Sequence, residues 1–170
     1  MAEPANGGRP VVVAVDEQHD LPVDVGRWSR LAGDSLAASG VVEGELNLLF
    51  VDEEVMTELN REHMDEDRPT DVLSFPLDAD DDDPVGERLI GDIVVCPAYA
   101  ARQAADHRDD RGHDGSVDDE LALLIVHGVL HILGHDHAEA DETVRMQAAE
   151  DALLGAHHRP VVQHRPGTPA

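Results

Sequence analysis

Four histidines fall within the eleven residues 127–137, "HGVLHILGHDH". Two of them, His127 and His131, interrupt an otherwise apolar run. Residues four apart on a helix lie on one face, one turn above the other, so these two imidazoles stand side by side. Gly134 follows where a chain can turn left-handed, a conformation other side chains adopt at a cost. That turn can bring His137 back to the first two rings. The pattern H-x-x-x-H-x-x-G-x-x-H then offers three neutral imidazole nitrogens. Such a set holds zinc at about 2.0–2.1 Å and leaves the fourth tetrahedral position to water, whose pKa the ion lowers to about 7. Nickel accepts the same ligands. A lone histidine in an apolar helix is more often a hydrogen-bonded core residue. Two on one buried face, with a glycine turn and a third histidine, leave too many ring nitrogens to satisfy away from water.

The remaining members of the run are read differently. His135 lies past the expected helix end and should point elsewhere. Asp136 is either an acceptor for a ligand imidazole or a turn former, and it is the candidate catalytic carboxylate for activating water. Metzincin proteases share the histidine spacing but place a glutamate base after the first histidine. Here that position is Gly128, so peptide cleavage by that route is excluded. Glycine there leaves the backbone open to substrate or to a packed neighbour.

The elements that must position these residues are legible from pattern. Valines favour extended backbone, so a strand starts at Pro10, and another spans residues 44–52. A helix fits residues 24–40, with Val25, Trp28, Leu31 and Leu36 on one face, and a second fits 52–63. Residues 69–78 and 89–97 read as further strands, and "AYAARQAADHR" reads as a helix. Ser116 and Asp119 make an S-x-x-D capping signature ahead of the histidine helix. That helix is apolar almost all round and is expected to be central and buried. A last helix spans about 138–154. The acidic run 78–87 reads as a solvated loop, or alternatively as a low-affinity cation loop. Residues 1–9 are expected to be disordered, 10–155 a single domain, and 156–170 a mobile tail.

The chain carries 37 acidic and 12 basic residues, a formal net charge of −25. Phosphates are repelled by most of such a surface, so any nucleic-acid contact must rest on a local site or a bound cation. The single cysteine, Cys96, excludes an internal disulfide and is expected to be a small buried hydrophobe. No signal peptide and no membrane-length apolar run is visible, so a soluble, cytoplasmic protein with no membrane partner is expected.

"HGVLHILGHDH", together with "RPTDVLSFP" (68–76) and "IGDIVV" (90–95), resembles the YbeY family of bacterial endoribonucleases over about residues 44–155. The resemblance implies an α/β fold: a small, mostly parallel sheet of about four strands flanked by helices, with the buried helix carrying the site. It implies one zinc held by His127, His131 and His137. It also implies a metal-dependent hydrolase of single-stranded RNA that matures the 3′ end of small-subunit ribosomal RNA, supports ribosome quality control and works with the small ribosomal subunit. On this reading Thr70, Asp71 and Ser74 line a substrate cleft beside the metal. On local hydrogen-bonding habits alone they cap and pair a strand start.

One departure stands out. Family members carry a Tyr-Arg pair shortly before "PTDVLSFP", and His63 and Met64 occupy that place here. Arg61 and Arg68 are the nearby candidates to replace the arginine, or else plain surface charges. Two other readings compete. One is a zinc hydrolase of amides or small phosphoesters with Asp136 or Glu120 as base. The other is a non-enzymatic assembly factor whose zinc site is closed by Cys96 or His135 as a fourth ligand.

Overall fold

A computed structural model describes residues 9–77 and 89–159. The elements follow in the order β1 (Val11–Asp16), α1 (Val25–Ala38), β2 (Glu45–Phe50), α2 (Glu53–Met64), β3 (Val72–Pro76), β4 (Leu89–Val95), α3 (Pro97–Ala104), α4 (Val117–Ile132) and α5 (Ala140–His157). One sheet of four strands has the order β1-β2-β4-β3. β1 runs parallel to β2 and β2 parallel to β4, while β3 is antiparallel to β4. The expected mixed α/β fold with a mostly parallel sheet is therefore present. The acidic run 78–87 lies outside the described residues.

Alternation along the strands divides the core. Leu46, Leu48 and Phe50 of β2 and Ile93 and Val95 of β4 join α1, α4 and α5 in one cluster. Leu73 of β3 faces Val94 of β4 in the register and joins Met56 of α2 and Cys96 in a second cluster. The period of two sends neighbouring residues to opposite faces, so α4 lies over one face of the β3–β4 pair while α2 packs on the other. Each fully buried Leu, Val or Phe stabilises by roughly 1.5–3 kcal/mol. Aliphatic residues dominate, as the composition requires, but Trp28 is 2 % exposed and Met56 is fully buried beside them.

α1 is capped by Asp24, whose side chain accepts from Arg27 N–H, and α2 by Asp52, which accepts from Val55 N–H. α4 is capped by Ser116, whose hydroxyl accepts from Asp119 N–H at 3.1 Å. The reciprocal half of the capping box is absent. Asp119 instead accepts from Asp114 N–H and meets His158 Nε2 at 2.7 Å, while Asp114 receives Ser116 N–H. That buried Asp119–His158 pair ties the end of α5 to the start of α4. α5 continues to His157, and His158 is 3 % exposed. Ahead of β1, Arg9 pairs with Asp34 of α1 at 2.6 Å.

The helix expected over "AYAARQAADHR" stops at Ala104. A 3-10 turn, Ala105–His107, follows and leads into a loop in which Asp109, Arg111, Gly112 and Gly115 all have positive φ. That folded-back loop returns the chain over the first turns of α4, where Glu120 lies.

Gly128 sits where α4 crosses the β3–β4 pair. A Cβ there would meet Ile93 Cγ2 and Ser74 Oγ at 3.1 Å, closer than ordinary van der Waals contact. The glycine lets the histidine helix lie down on the sheet, so the packed neighbour, not the substrate, occupies its open face.

Candidate metal centre and cleft

α4 ends at Ile132, and Gly134 takes φ +100°, which turns the chain as expected. The turn carries His137 back to the helical pair. Ring centroids lie 6.0 Å apart for His127–His131, 5.8 Å for His127–His137 and 6.0 Å for His131–His137. The three imidazoles thus stand at the corners of a nearly equilateral triangle, with planes within 34° of parallel.

The backbone fixes one of these rings. His131 Nδ1 lies 2.9 Å from the carbonyl oxygen of His135, so Nδ1 carries the proton and Nε2 keeps its lone pair. The His135 N–H is bonded in turn to the Leu130 carbonyl. His135 therefore contributes its backbone, while its side chain lines a separate hollow with Asp136. Asp136 accepts its neighbour's N–H from His137 at 2.7 Å, as a turn former does. Behind His127 stands Glu150 of α5, 5 % exposed, with Oε1 3.6 Å from His127 Nδ1. Three imidazoles, one with its tautomer set by a carbonyl, are the donor type a zinc-type ion takes, and their nitrogens would have to draw inside the 4.8 Å spacing of a closed ligand set to hold it.

His127 and His137 line a cleft of about 510 Å³, together with Asp71 at the start of β3, Glu120 of α4, Glu150 of α5, and His107 and Arg111 of the loop. Of the acids considered from sequence, Asp71 and Glu120 are thus in the cleft lining and Asp136 is not. Asp71 Oδ1 accepts from Val72 N–H at 2.8 Å and from Thr70 Oγ1 at 3.3 Å. Thr70 supports Asp71 from outside the lining, and Ser74 lies further along β3 against Gly128. Neither candidate arginine reaches the cleft lining. Arg61 pairs with Asp67 and Arg68 with Glu66, both highly exposed, and Met64 is 52 % exposed. The His63 ring lies 4.7 Å from that of Phe75, tilted 56° to it. Cys96 is fully buried in the second core cluster, and burial pushes its thiol pKa up.

Among the cleft residues missed from sequence are His107, Arg111 and Glu150. Glu120 is fully buried, and its Oε1 meets His107 Nδ1 at 2.6 Å and His113 Nε2 at 3.0 Å. The donor atoms of this trio lie within 4.8 Å of one another, the grouping a metal uses. The protons are arranged otherwise. His113 Nδ1 accepts from Gly115 N–H at 2.9 Å, so its Nε2 is the protonated nitrogen and donates to Glu120. The cluster is a buried carboxylate holding two imidazoles by hydrogen bonds.

The fold and site define a mixed α/β protein with a histidine triangle at one end of an acidic cleft. The family model described as Endoribonuclease YbeY matches residues 15–158, and the chain belongs to the YbeY family. A relative named Endoribonuclease YbeY from Thermobifida fusca is 42% identical over 152 residues, 86% of this chain and 94% of that one. Another of that name from Beutenbergia cavernae is 43% identical over 145 residues, 82% of this chain and 93% of the relative. The solution structure of TM1509 from Thermotoga maritima shares the fold, with a TM-score of 0.56 over 93% of this chain and 99% of that chain, at 22% identity. No described helix is long and apolar enough to cross a membrane.

Proposed function

We propose that this chain is a zinc-dependent endoribonuclease of single-stranded RNA. In this reading it matures the 3′ end of small-subunit ribosomal RNA, serves ribosome quality control, works with the small ribosomal subunit, and acts in the cytoplasm through a single domain that begins near residue 10. The observation that carries the reading is the triangle of His127, His131 and His137 at 5.8–6.0 Å centroid spacing, on an open cleft, in a chain of the YbeY family.

The three imidazoles would hold the ion, and when bound it supplies Lewis-acid polarisation and water acidified to a pKa of about 7. The chain's own residues do the rest. The His135 carbonyl fixes the ring orientation of His131, and the Glu150 carboxylate stands 3.6 Å from His127 Nδ1. Asp71, braced by Thr70, presents a carboxylate on the β3 side of the cleft, with Ser74 along the same strand. A closed, purely structural site has less support: Cys96 is buried in the second core cluster and the His135 side chain lines a separate hollow, so neither stands as a fourth ligand.

The test is cleavage of a single-stranded oligonucleotide carrying a small-subunit 3′ end, with metal content measured in parallel. Wild type should cleave it and carry one zinc per chain. His131→Ala should lose both. Cleavage that persists in the zinc-free variant would overturn the reading, as would faster turnover of amides or small phosphoesters than of RNA.

A further inference from the structure

An RNA strand entering this cleft meets the carboxylates of Asp71 and Asp110, with those of Glu120 and Glu150 buried behind the lining. Among its described lining residues, the side chains able to carry positive charge outside the histidine triangle are His107 and Arg111. Both lie on the short stretch between α3 and α4. Each is held by a different buried glutamate. Glu120 Oε1 takes His107 Nδ1 at 2.6 Å, and Glu150 Oε2 takes Arg111 Nη2 at 3.5 Å. Arg111 Nη1 is further fixed by Asp151 at 3.4 Å and by the Gln147 carbonyl at 3.3 Å. Glu150 is the same residue that stands behind His127, so the Arg111 guanidinium and the nearest corner of the triangle share one carboxylate.

Glu120 holds His107 by one ring edge only, whereas Arg111 is held at both terminal nitrogens and keeps its Nε–H and the remaining N–H groups for a ligand. His107 binds Glu120 through Nδ1, which leaves its Nε2 edge to act on the cleft it lines, and its side chain is 39% exposed. Glu120 lies seven residues before His127, nearly two full turns and so almost the same face, at about 10 Å along the helix axis. That offset spans a nucleotide step or two of single strand.

We propose that His107 and Arg111 form a phosphate subsite that binds a nucleotide phosphate flanking the one at the histidine triangle. The proposal rests on the RNA reading above and names the contact that the chain lacks at Met64. For His107 to donate through Nε2 while Nδ1 donates to Glu120, the ring must be an imidazolium. The hydrogen bond to Glu120 raises the His107 pKa, with Asp110 and Asp106 adding to it and burial opposing it. His113 also faces the ring, at 5.7 Å between centroids, but its Nε2–H is spent on Glu120. Asp106 and Asp110 oppose bulk attraction of RNA, so the subsite contributes directed donors rather than a broad positive field.

The experiment measures binding of the metal-loaded protein to a cleavage-resistant 2′-O-methyl single-stranded oligonucleotide across salt and pH. Arg111→Gln should weaken binding roughly tenfold and reduce the salt slope by about the share of one phosphate contact. His107→Gln should weaken it several-fold at pH 6 and remove the loss of affinity that wild type shows as pH rises. Zinc content should stay unchanged in both. Unchanged affinity and salt slope in both variants would overturn the subsite, and loss of zinc in His107→Gln would make that residue a metal ligand instead. A wild type that binds the oligonucleotide with these sensitivities yet cleaves no RNA would sink the nuclease reading and leave the subsite standing.

Discussion

His131 holds the backbone carbonyl of His135 through Nδ1 at 2.9 Å, so His135 orients the ring of another histidine of the motif without using its own ring. The pair sets up a clean contrast between variants. His135→Ala retains the carbonyl and should keep full zinc content and cleavage. His131→Ala should lose both. Metal analysis by mass spectrometry with a cleavage assay decides it, and zinc loss in His135→Ala would show a side-chain ligand at that position.

Gly128→Ala places a methyl 3.1 Å from both Ile93 Cγ2 and Ser74 Oγ. The gain in helix propensity is about 1 kcal/mol, and overpacking costs about 1–3 kcal/mol. Ile93 sits fully buried on β4 between two paired strands, so it yields little. The variant should melt a few degrees below wild type. A higher melting temperature would mean that α4 can lift off the sheet.

Cys96 should resist alkylation by iodoacetamide at neutral pH in the folded protein and react once denatured. Its thiol is fully buried, and desolvation, the largest influence, holds its pKa above the ordinary value. Rapid labelling of the native protein would contradict the placement of Cys96 in the core.

His107 links stability to pH. Its folded pKa is raised above the ordinary 6.5, first by the hydrogen bond to Glu120. A raised value means the folded state binds the proton more tightly. The stabilisation is therefore complete below pH 6.5 and is lost as pH climbs through the folded value. Urea midpoints of wild type and His107→Gln should converge over that climb. A difference that widens with pH would reverse the assignment of charge at this pair.

The histidine helix was legible because its signals are local: a cap at Ser116, an i, i+4 pair, a glycine turn. The strands were legible because valine-rich runs are bounded by proline and acids. What escaped was contact across the chain. Glu150 reads in sequence as one more surface acid of α5, yet it is buried behind His127, 23 positions earlier. His107 sits near the end of a stretch read as helix and Arg111 just beyond it, and the positive-φ turns at Asp109, Arg111 and Gly112 lay that segment against α4 and α5. The sequence-based search for a replacement arginine looked near residue 64 in the chain. The cleft draws its guanidinium from 111, near in space and distant along the backbone.

The connectivity also has a consequence for synthesis. Parallel pairing of β1, β2 and β4 joins segments far apart in the chain, and the triangle is finished only by the turn after α4. Glu150, which backs His127 and steadies Arg111, comes later still. A nascent chain that has delivered every strand of the sheet still lacks His137 and this carboxylate. The centre is therefore completed among the last described elements to emerge, and a growing chain stays without a finished site while it is still attached to the machinery that makes it.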